Sequence, residues 1–283
     1  MRAARWKIAD RTIEFSQGAL IMGVLNVTPD SFSESGEFFD QEKAIAHGLA
    51  MAADGAAIID IGGESTRPGS DSVAEDEELR RVIPVLARVR SGTDVLVSSD
   101  TAKASVARAA LDAGATIIND ISGGRSDTAM MPLAAESGAA FIIMHMQGTP
   151  RTMQKAPHYD DVVAEVGEFF RQQYTLAVEC GIDPMAIAFD PGIGFGKTLE
   201  HNLELLRNLP RLRIDDRPLV VGVSRKSFLG KVIGSSEISD RIAPTIAMTA
   251  LLRERGADVL RVHDVKPNVA ALRTTEALLG TGE

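Results

Sequence analysis

Eight short apolar runs rich in Val, Ile, Leu and Ala recur along the chain, each followed by a longer stretch with helical patterning. The runs are Leu20–Asn26, Ala57–Gly62, Val95–Asp100, Thr116–Asp120, Phe141–His145, Ala186–Asp190, Leu219–Ser224 and Val259–His263. Their lengths and β-branched content mark them as strands. The helical stretches include Glu42–Ala53, Glu75–Val89, Ala104–Ala113, Thr128–Ser137, Val162–Glu179, Leu199–Leu209, Ile242–Arg255 and Asn268–Leu279. Several of them stop at a glycine, as at Gly55, Gly114, Gly138, Gly181 and Gly256. A glycine just past a helix supplies the left-handed cap that ends it. Eight strand-then-helix units suit a closed barrel, with the open doubly wound sheet as competitor. The count favours the barrel, and so do polar residues at the end of every strand instead of at one crevice. The expected fold is therefore α/β, a single (β/α)8 TIM barrel. An extra N-terminal hairpin around Asp10-Arg11, spanning Trp6–Phe15, is placed to cover the lower mouth.

A length of 283 residues matches one such barrel. With no long linker or low-complexity stretch, one domain over 1–283 is expected, the hairpin within 1–18 and the barrel over 19–283. The formal charge of −9, with no extended basic stretch, speaks against a nucleic-acid partner. Any anion site must then be built locally, from a few converging cations and backbone N–H groups. The single cysteine, Cys180, excludes a disulfide within the chain and fits a reducing compartment. Standing before Gly181 at a helix end, Cys180 reads as a packing residue. No apolar run is long enough to span a membrane, and the first ten residues lack a secretory h-region, so the cytoplasm is the expected location.

In a closed barrel the strand C-termini converge on one mouth. Here they bring Asn26, Glu64, Asp100, Asn119, Asp120, His145, Asp190, Arg225, Lys226, Arg261 and His263. Strands end where polar loops begin, which accounts for any one of these residues but poorly for charge at nearly every strand. The glycine-rich segment Asp190–Lys197 leaves a strand just before a helix. It either presents N–H groups to an anion or makes a tight turn that folds Phe195 over a ligand. It has neither P-loop nor dinucleotide-fold spacing. Gly62–Gly69 carries Arg67 on a backbone restricted by Gly and Pro. That guanidinium suits phosphate or carboxylate, or is simply solvated. In Ser224-Arg225-Lys226-Ser227, strand alternation sends one cation into the mouth and the other outward. The same alternation puts Arg261 and His263 on one side, as a cationic pair suited to an anionic leaving group. His145, a lone histidine between two methionines, reads more readily as packing than as catalyst. No zinc-type ligand spacing and no nucleophile elbow is present.

Taken together and in order, these motifs resemble the dihydropteroate synthases. The resemblance starts at Leu25–Ser33 and continues through Gly62–Gly69, Asp100-Thr101 and Ile118–Asp120. It then runs through Met144–Gly148, Asp190–Lys197, Ser224–Ser227 and Arg261–Val265. It implies condensation of (7,8-dihydropterin-6-yl)methyl diphosphate with 4-aminobenzoate, giving 7,8-dihydropteroate and pyrophosphate by a dissociative, Mg2+-assisted displacement. By resemblance, Asn26 holds the Mg2+, and Thr66 and Arg67 lie on a loop that closes over the substrates. Asp100, Asn119, Met144, Asp190, Gly222 and Lys226 form the pterin pocket, and Arg261, Val262 and His263 serve the diphosphate. Phe32, Pro68, Phe195 and Ser227 surround 4-aminobenzoate. Asp100, Lys226, Arg261 and His263 are the implied catalytic residues, sulfonamides the implied inhibitors and a homodimer the implied assembly. Two departures stand out: Glu34 where the family's first loop commonly has Asp, and Ser99 where an apolar residue usually precedes Asp100. No role is assigned to Gly123-Gly124-Arg125. Two other readings are a methyltetrahydrofolate-dependent methyltransferase domain, which needs no diphosphate or aminobenzoate site, and a non-catalytic pterin-binding barrel.

Overall fold

A computed structural model of the chain describes residues 4–28, 37–66 and 69–281. Strands β1 (Arg5–Ile8) and β2 (Arg11–Glu14) pair antiparallel, with Trp6 opposite Ile13. The barrel strands are β3 (Leu20–Asn26), β4 (Ile58–Gly62), β5 (Leu96–Asp100), β6 (Ile117–Asp120), β7 (Ala140–Met144), β8 (Ile187–Asp190), β9 (Val220–Gly222) and β10 (Val259–Val262). All neighbours are parallel, in the order β8-β7-β6-β5-β4-β3-β10-β9. The ring closes where Phe189 on β8 bridges Leu219 and its N–H donates to Pro218 O at 2.9 Å. Around it lie α1 (Glu37–Ala53), α2 (Glu75–Gly92), α3 (Ala104–Asp112), α4 (Met130–Ser137), α5 (Val162–Glu179), α6 (Leu199–Arg207), α7 (Ser227–Ile233), α8 (Ile242–Glu254) and α9 (Val265–Leu279). Within the described residues no helix is long and apolar enough to cross a membrane.

Successive strand side chains point to opposite faces, so each strand feeds two different cores. Ile59 and Ile61 of β4 join the shell between strands and helices, with Val82, Leu86 and Val97. Ile58, one residue earlier, joins the barrel interior with Met22, Ile117, Ile142, Val220 and Val259. That inner floor is apolar and is sealed by the hairpin. Trp6, Ile8 and Phe15 pack into it, and Trp6 Nε1 donates to Ala186 O at 2.9 Å. The hairpin thus covers the lower mouth, as the sequence implies. Above the floor the inward positions turn polar: Asp60 on β4, Ser98 and Asp100 on β5, Asn119 on β6, Asp190 on β8 and Arg261 on β10.

All five helix-ending glycines have positive φ, between 67° and 104°. Several expectations change, among them the start of α1 at Glu37 where Glu42 was expected and the end of α2 at Gly92 where Val89 was expected. Cys180 does not pack: it is exposed. Helix α5 ends there, Gly181 turns the chain, and Ile182 takes the core place, its N–H bonded to Ala177 O at 3.0 Å. The last helix begins at Val265, ahead of Pro267, where Asn268 was expected. A proline in the first turn lacks only an N–H that the helix would leave unpaired. Helix α7 was not anticipated at all.

Candidate active site

One cation organises the centre of the mouth. Arg261 Nε donates to Asp60 Oδ2 and its Nη2 to Asp100 Oδ2, both at 2.6 Å. Asn119 Nδ2 adds a bond to the same Asp60 oxygen at 3.0 Å. Asp60 is fully buried, and its other oxygen has no hydrogen-bond partner among the described residues. Burial raises the Asp100 carboxyl to about 7: Arg261 pulls it down, while Asp60 and two further carboxylates push it up. Burial works against the Arg261 charge, but Asp60 and Asp100 beside it outweigh burial and hold the guanidinium above its ordinary value. Asp60 went unrecognised in the sequence, although a charged residue in Ile58-Ile59-Asp60-Ile61, sharing parity with Gly62, is the mark of an inward acid.

The other side of the mouth sets Asp190 within electrostatic reach of Lys226. Asp190 Oδ1 accepts the Gly192 N–H at 2.7 Å. Burial raises its carboxyl, opposed first by the Lys226 charge. Burial lowers Lys226 to about 8, with Asp190 opposing. Its Nζ donates to Ile193 O and sits 4.8 Å from the centre of the Phe195 ring. Phe195 lies against Met144, Met146 and Met153 in a small apolar cluster at the rim. Arg225 and Lys226 do diverge, but not by strand alternation, because β9 ends at Gly222. Arg225 has φ 58° and turns away to a two-pronged ion pair with Asp264, at 2.9 and 2.5 Å.

The expected cationic pair is not what forms. Arg261 already serves two carboxylates, and burial lowers His263 to about 3, helped by Arg261 and Arg225. The neutral imidazole has Nδ1 3.0 Å from Ser224 Oγ. Val262 turns its side chain into the outer core, so only its main chain faces the mouth. Gly222 keeps space open beside Arg261, whose Cβ lies 3.6 Å from where a side chain would start. Glu64 is tied to Lys103 at 2.5 Å, which also holds buried Glu78 at 2.5 Å, so it anchors its loop instead of lining the site. Asp120 closes the turn after β6 by accepting Ser122 and Gly124 N–H groups at 2.7 and 2.8 Å. That turn uses Gly123 and Gly124 at positive φ, and Arg125 pins it to Met146 O at 2.7 Å. Thr66 is half-buried, and Ser227 is exposed at the start of α7. Phe32, Glu34, Arg67 and Pro68 lie outside the described residues.

The Asp190–Lys197 loop is not an anion cradle. The Gly194 N–H donates to Asn202 Oδ1 at 2.7 Å and the Phe195 N–H to Gly192 O at 3.0 Å. It is a tight turn, the second of the two readings, and it carries Phe195 to the rim. His145 behaves as a packing residue: its ring meets Phe169 edge-on at 4.9 Å, and burial lowers it to about 2.

Among the described residues no three His, Cys, Asp or Glu side chains cluster as a metal site. Asn26 ends β3 half-buried, and its amide makes no hydrogen bond among them. Gly62 separates it from Asp100 in the sheet, leaving that flank without a side chain. One neutral oxygen suits Mg2+, which keeps several waters and takes most of its ligands from a substrate phosphate.

Residues 22–263 match the family profile described as "Pterin binding enzyme". The dihydropteroate synthase of Synechocystis sp. is 43% identical over 271 residues, covering 96% of this chain and 94% of the relative. The structure of Xanthomonas albilineans dihydropteroate synthase with 4-aminobenzoic acid superposes with a TM-score of 0.91 at 43% identity, covering 98% of each chain. That of the Yersinia pestis enzyme with a sulfonamide drug gives 0.91 at 40% identity, covering 98% of this chain and 99% of the other. The arrangement at the barrel mouth therefore sits in a chain that belongs, over nearly its whole length, to the dihydropteroate synthases of the pterin-binding enzyme family.

Proposed function

We propose that this protein condenses (7,8-dihydropterin-6-yl)methyl diphosphate with 4-aminobenzoate, giving 7,8-dihydropteroate and pyrophosphate. The observation that carries this reading is the convergence of Asp100, Asn119, Asp190 and Lys226 on one barrel mouth, with Arg261 at its centre. A pterin edge offers an amino group and a ring N–H side by side. Asp190 accepts both as a charge-assisted pair, and those donors favour its ionised form against burial. Asn119 presents donor and acceptor to the neighbouring edge, and Lys226 leaves Ile193 O to donate to the ring carbonyl.

An aryl amine is a weak nucleophile, so the leaving group departs first. The carbon–oxygen bond breaks with its electron pair going to diphosphate, and the methylene cation is delocalised into the pterin ring. Asp100 favours that cation electrostatically, and Arg261 faces the departing charge. Neutral His263 supplies an N–H for hydrogen bonding. The amine nitrogen then bonds to the methylene and releases a proton to solvent. Asn26 would hold Mg2+, which when bound neutralises diphosphate charge. Thr66, Arg67, Pro68 and Phe32 are assigned to loops that exclude water and hold the amine, with Phe195 and Ser227 on the rim beside it. Sulfonamides, which present a similar aryl amine, are expected to compete for that place.

Exposed Leu251 on α8 and Leu278 and Leu279 on α9 support a homodimer through those helices. Arg253, on the same helix, is committed within the chain to Glu276 at 3.0 Å. The lone thiol accords with a cytoplasmic location.

The test mixes protein, dihydropterin diphosphate, 4-aminobenzoate and Mg2+ and follows pyrophosphate. Release that depends on the amine is the expected result. Binding of the diphosphate without release would leave a non-catalytic barrel, and methyl transfer from methyltetrahydrofolate would favour the methyltransferase reading.

A further inference from the structure

Lys197 is 3% exposed and forms no ion pair among the described residues. Its Nζ lies 3.0 Å from His145 Nδ1, donates to Gly192 O and Phe195 O at 3.0 Å each, and approaches His145 O at 3.3 Å. These acceptors belong to two segments, the exit of β7 and the loop after β8. The segments are pressed together: a Cβ on Gly192 would stand 1.9 Å from His145 O, and one on Gly196 2.5 Å from Gln147 O. Three more loop carbonyls are also held. Lys226 takes Ile193 O, Gln154 takes Gly194 O at 2.7 Å, and the Tyr159 hydroxyl takes Gly196 O at 2.8 Å.

Burying an amine without a carboxylate is costly unless every proton is hydrogen-bonded. A methionine of similar length would fill the space without that cost. The amine adds direction, because it fixes where two carbonyls point. Phe195 carries the second of them and has both main-chain groups held, its N–H by Gly192 O and its carbonyl by Lys197. Its ring is thereby presented at the rim beside Lys226.

We propose that Lys197 is a positioning residue for the second substrate: by clamping the loop after β8 onto the exit of β7, it preforms the Phe195 wall against which the aryl amine lies. This rests on the assignment of 4-aminobenzoate to that rim. Asp190 and the pterin pocket depend on it less, because Asp190 is fixed by its strand, paired with Met144.

The test compares wild type, Lys197→Met, Phe195→Ala and the double variant. Lys197→Met is expected to raise KM for 4-aminobenzoate at least tenfold while KM for dihydropterin diphosphate moves less than twofold. The double variant should be no worse than Phe195→Ala alone, because one residue acts through the other. Without substrates, amide exchange at Gly194–Gly196 should accelerate at least tenfold in Lys197→Met while the barrel strands keep their protection. If Met is not tolerated, Lys197→Gln keeps one amide donor and is read the same way, with a smaller shift. Equal rises in both KM values, additive effects in the double variant, or unchanged loop exchange would each overturn the proposal. A wild type that releases no pyrophosphate would refute the assigned activity, and the exchange measurement would still judge the clamp.

Discussion

At the scale of single residues, charge shared in a dry site sets the working pH. Asp100 is ionised only as pH rises through about 7, because burial outweighs the pull of Arg261. Lys226 keeps its proton only below about 8, again because of burial. If the reaction needs an Asp100 carboxylate and a Lys226 ammonium, kcat/KM for dihydropterin diphosphate rises through the first value and falls through the second. The result is a narrow bell, about tenfold down one unit outside either limb. Asp100→Asn should remove the acid limb and slow turnover. Lys226→Arg should remove the alkaline one, since guanidinium does not titrate there. An acid limb that survives Asp100→Asn would assign it to another group. Asp60 has a different task, since it faces Arg261 and Asn119 and not the open mouth. Asp60→Ala leaves a buried cation half-paired, and a loss of about 3 kcal/mol is expected in denaturant unfolding. The mouth acids and bases were legible because they follow apolar runs. The inward position of Asp60 was marked by its apolar run but overlooked, and its pairing with Arg261, 201 residues away in sequence, was not legible. Nor was the neutrality of His263, which depends on burial that a sequence does not display.

At the scale of elements, the two ends of the barrel do separate jobs. The hairpin seals an apolar floor with a fully buried Trp6, while the buried charged residues gather at the opposite mouth. Trp6→Ala removes a large interior side chain and the bond to Ala186 O, a loss of about 3–5 kcal/mol. The urea midpoint should fall accordingly, with both KM values unchanged in the protein that stays folded. An unmoved midpoint would mean that the hairpin does not seal the barrel. The strands were legible to within a residue or two at most ends because their apolar runs stop at polar loops. The seventh is shorter than its run: Val223 and Ser224 belong to the turn, where Lys226 N–H bonds back to Val223 O at 3.2 Å and Ser224 Oγ accepts the His263 N–H at 3.1 Å. Helix α7 escaped notice because it has only seven residues and includes Gly230. Cys180 was misplaced because a position before a helix-ending glycine does not say which way the side chain faces: it caps α5 and is exposed.

At the scale of the whole molecule, the ring has a weak seam, and the proposed substrate straddles it. Between β8 and β9 pairing consists of one bridge, Phe189 with Leu219, whereas every other neighbouring pair is registered over three residues or more. Opening to solvent should begin where the fewest backbone bonds must break. Asp190 ends β8 and Lys226 follows β9, so they stand on opposite sides of that seam. A pterin bonded to both, as proposed, would add a second link between the two edges. Ligand at about a hundred times its Kd should stabilise the fold by about 2.7 kcal/mol, whatever its position. What position decides is where that stabilisation appears. Amides of Phe189 and of residues 219–222 are expected to gain protection most when dihydropterin diphosphate binds, and those between β4 and β5 least. Equal gains around the ring would mean that the seam does not open by itself, and that the ligand reads only the global unfolding of the barrel.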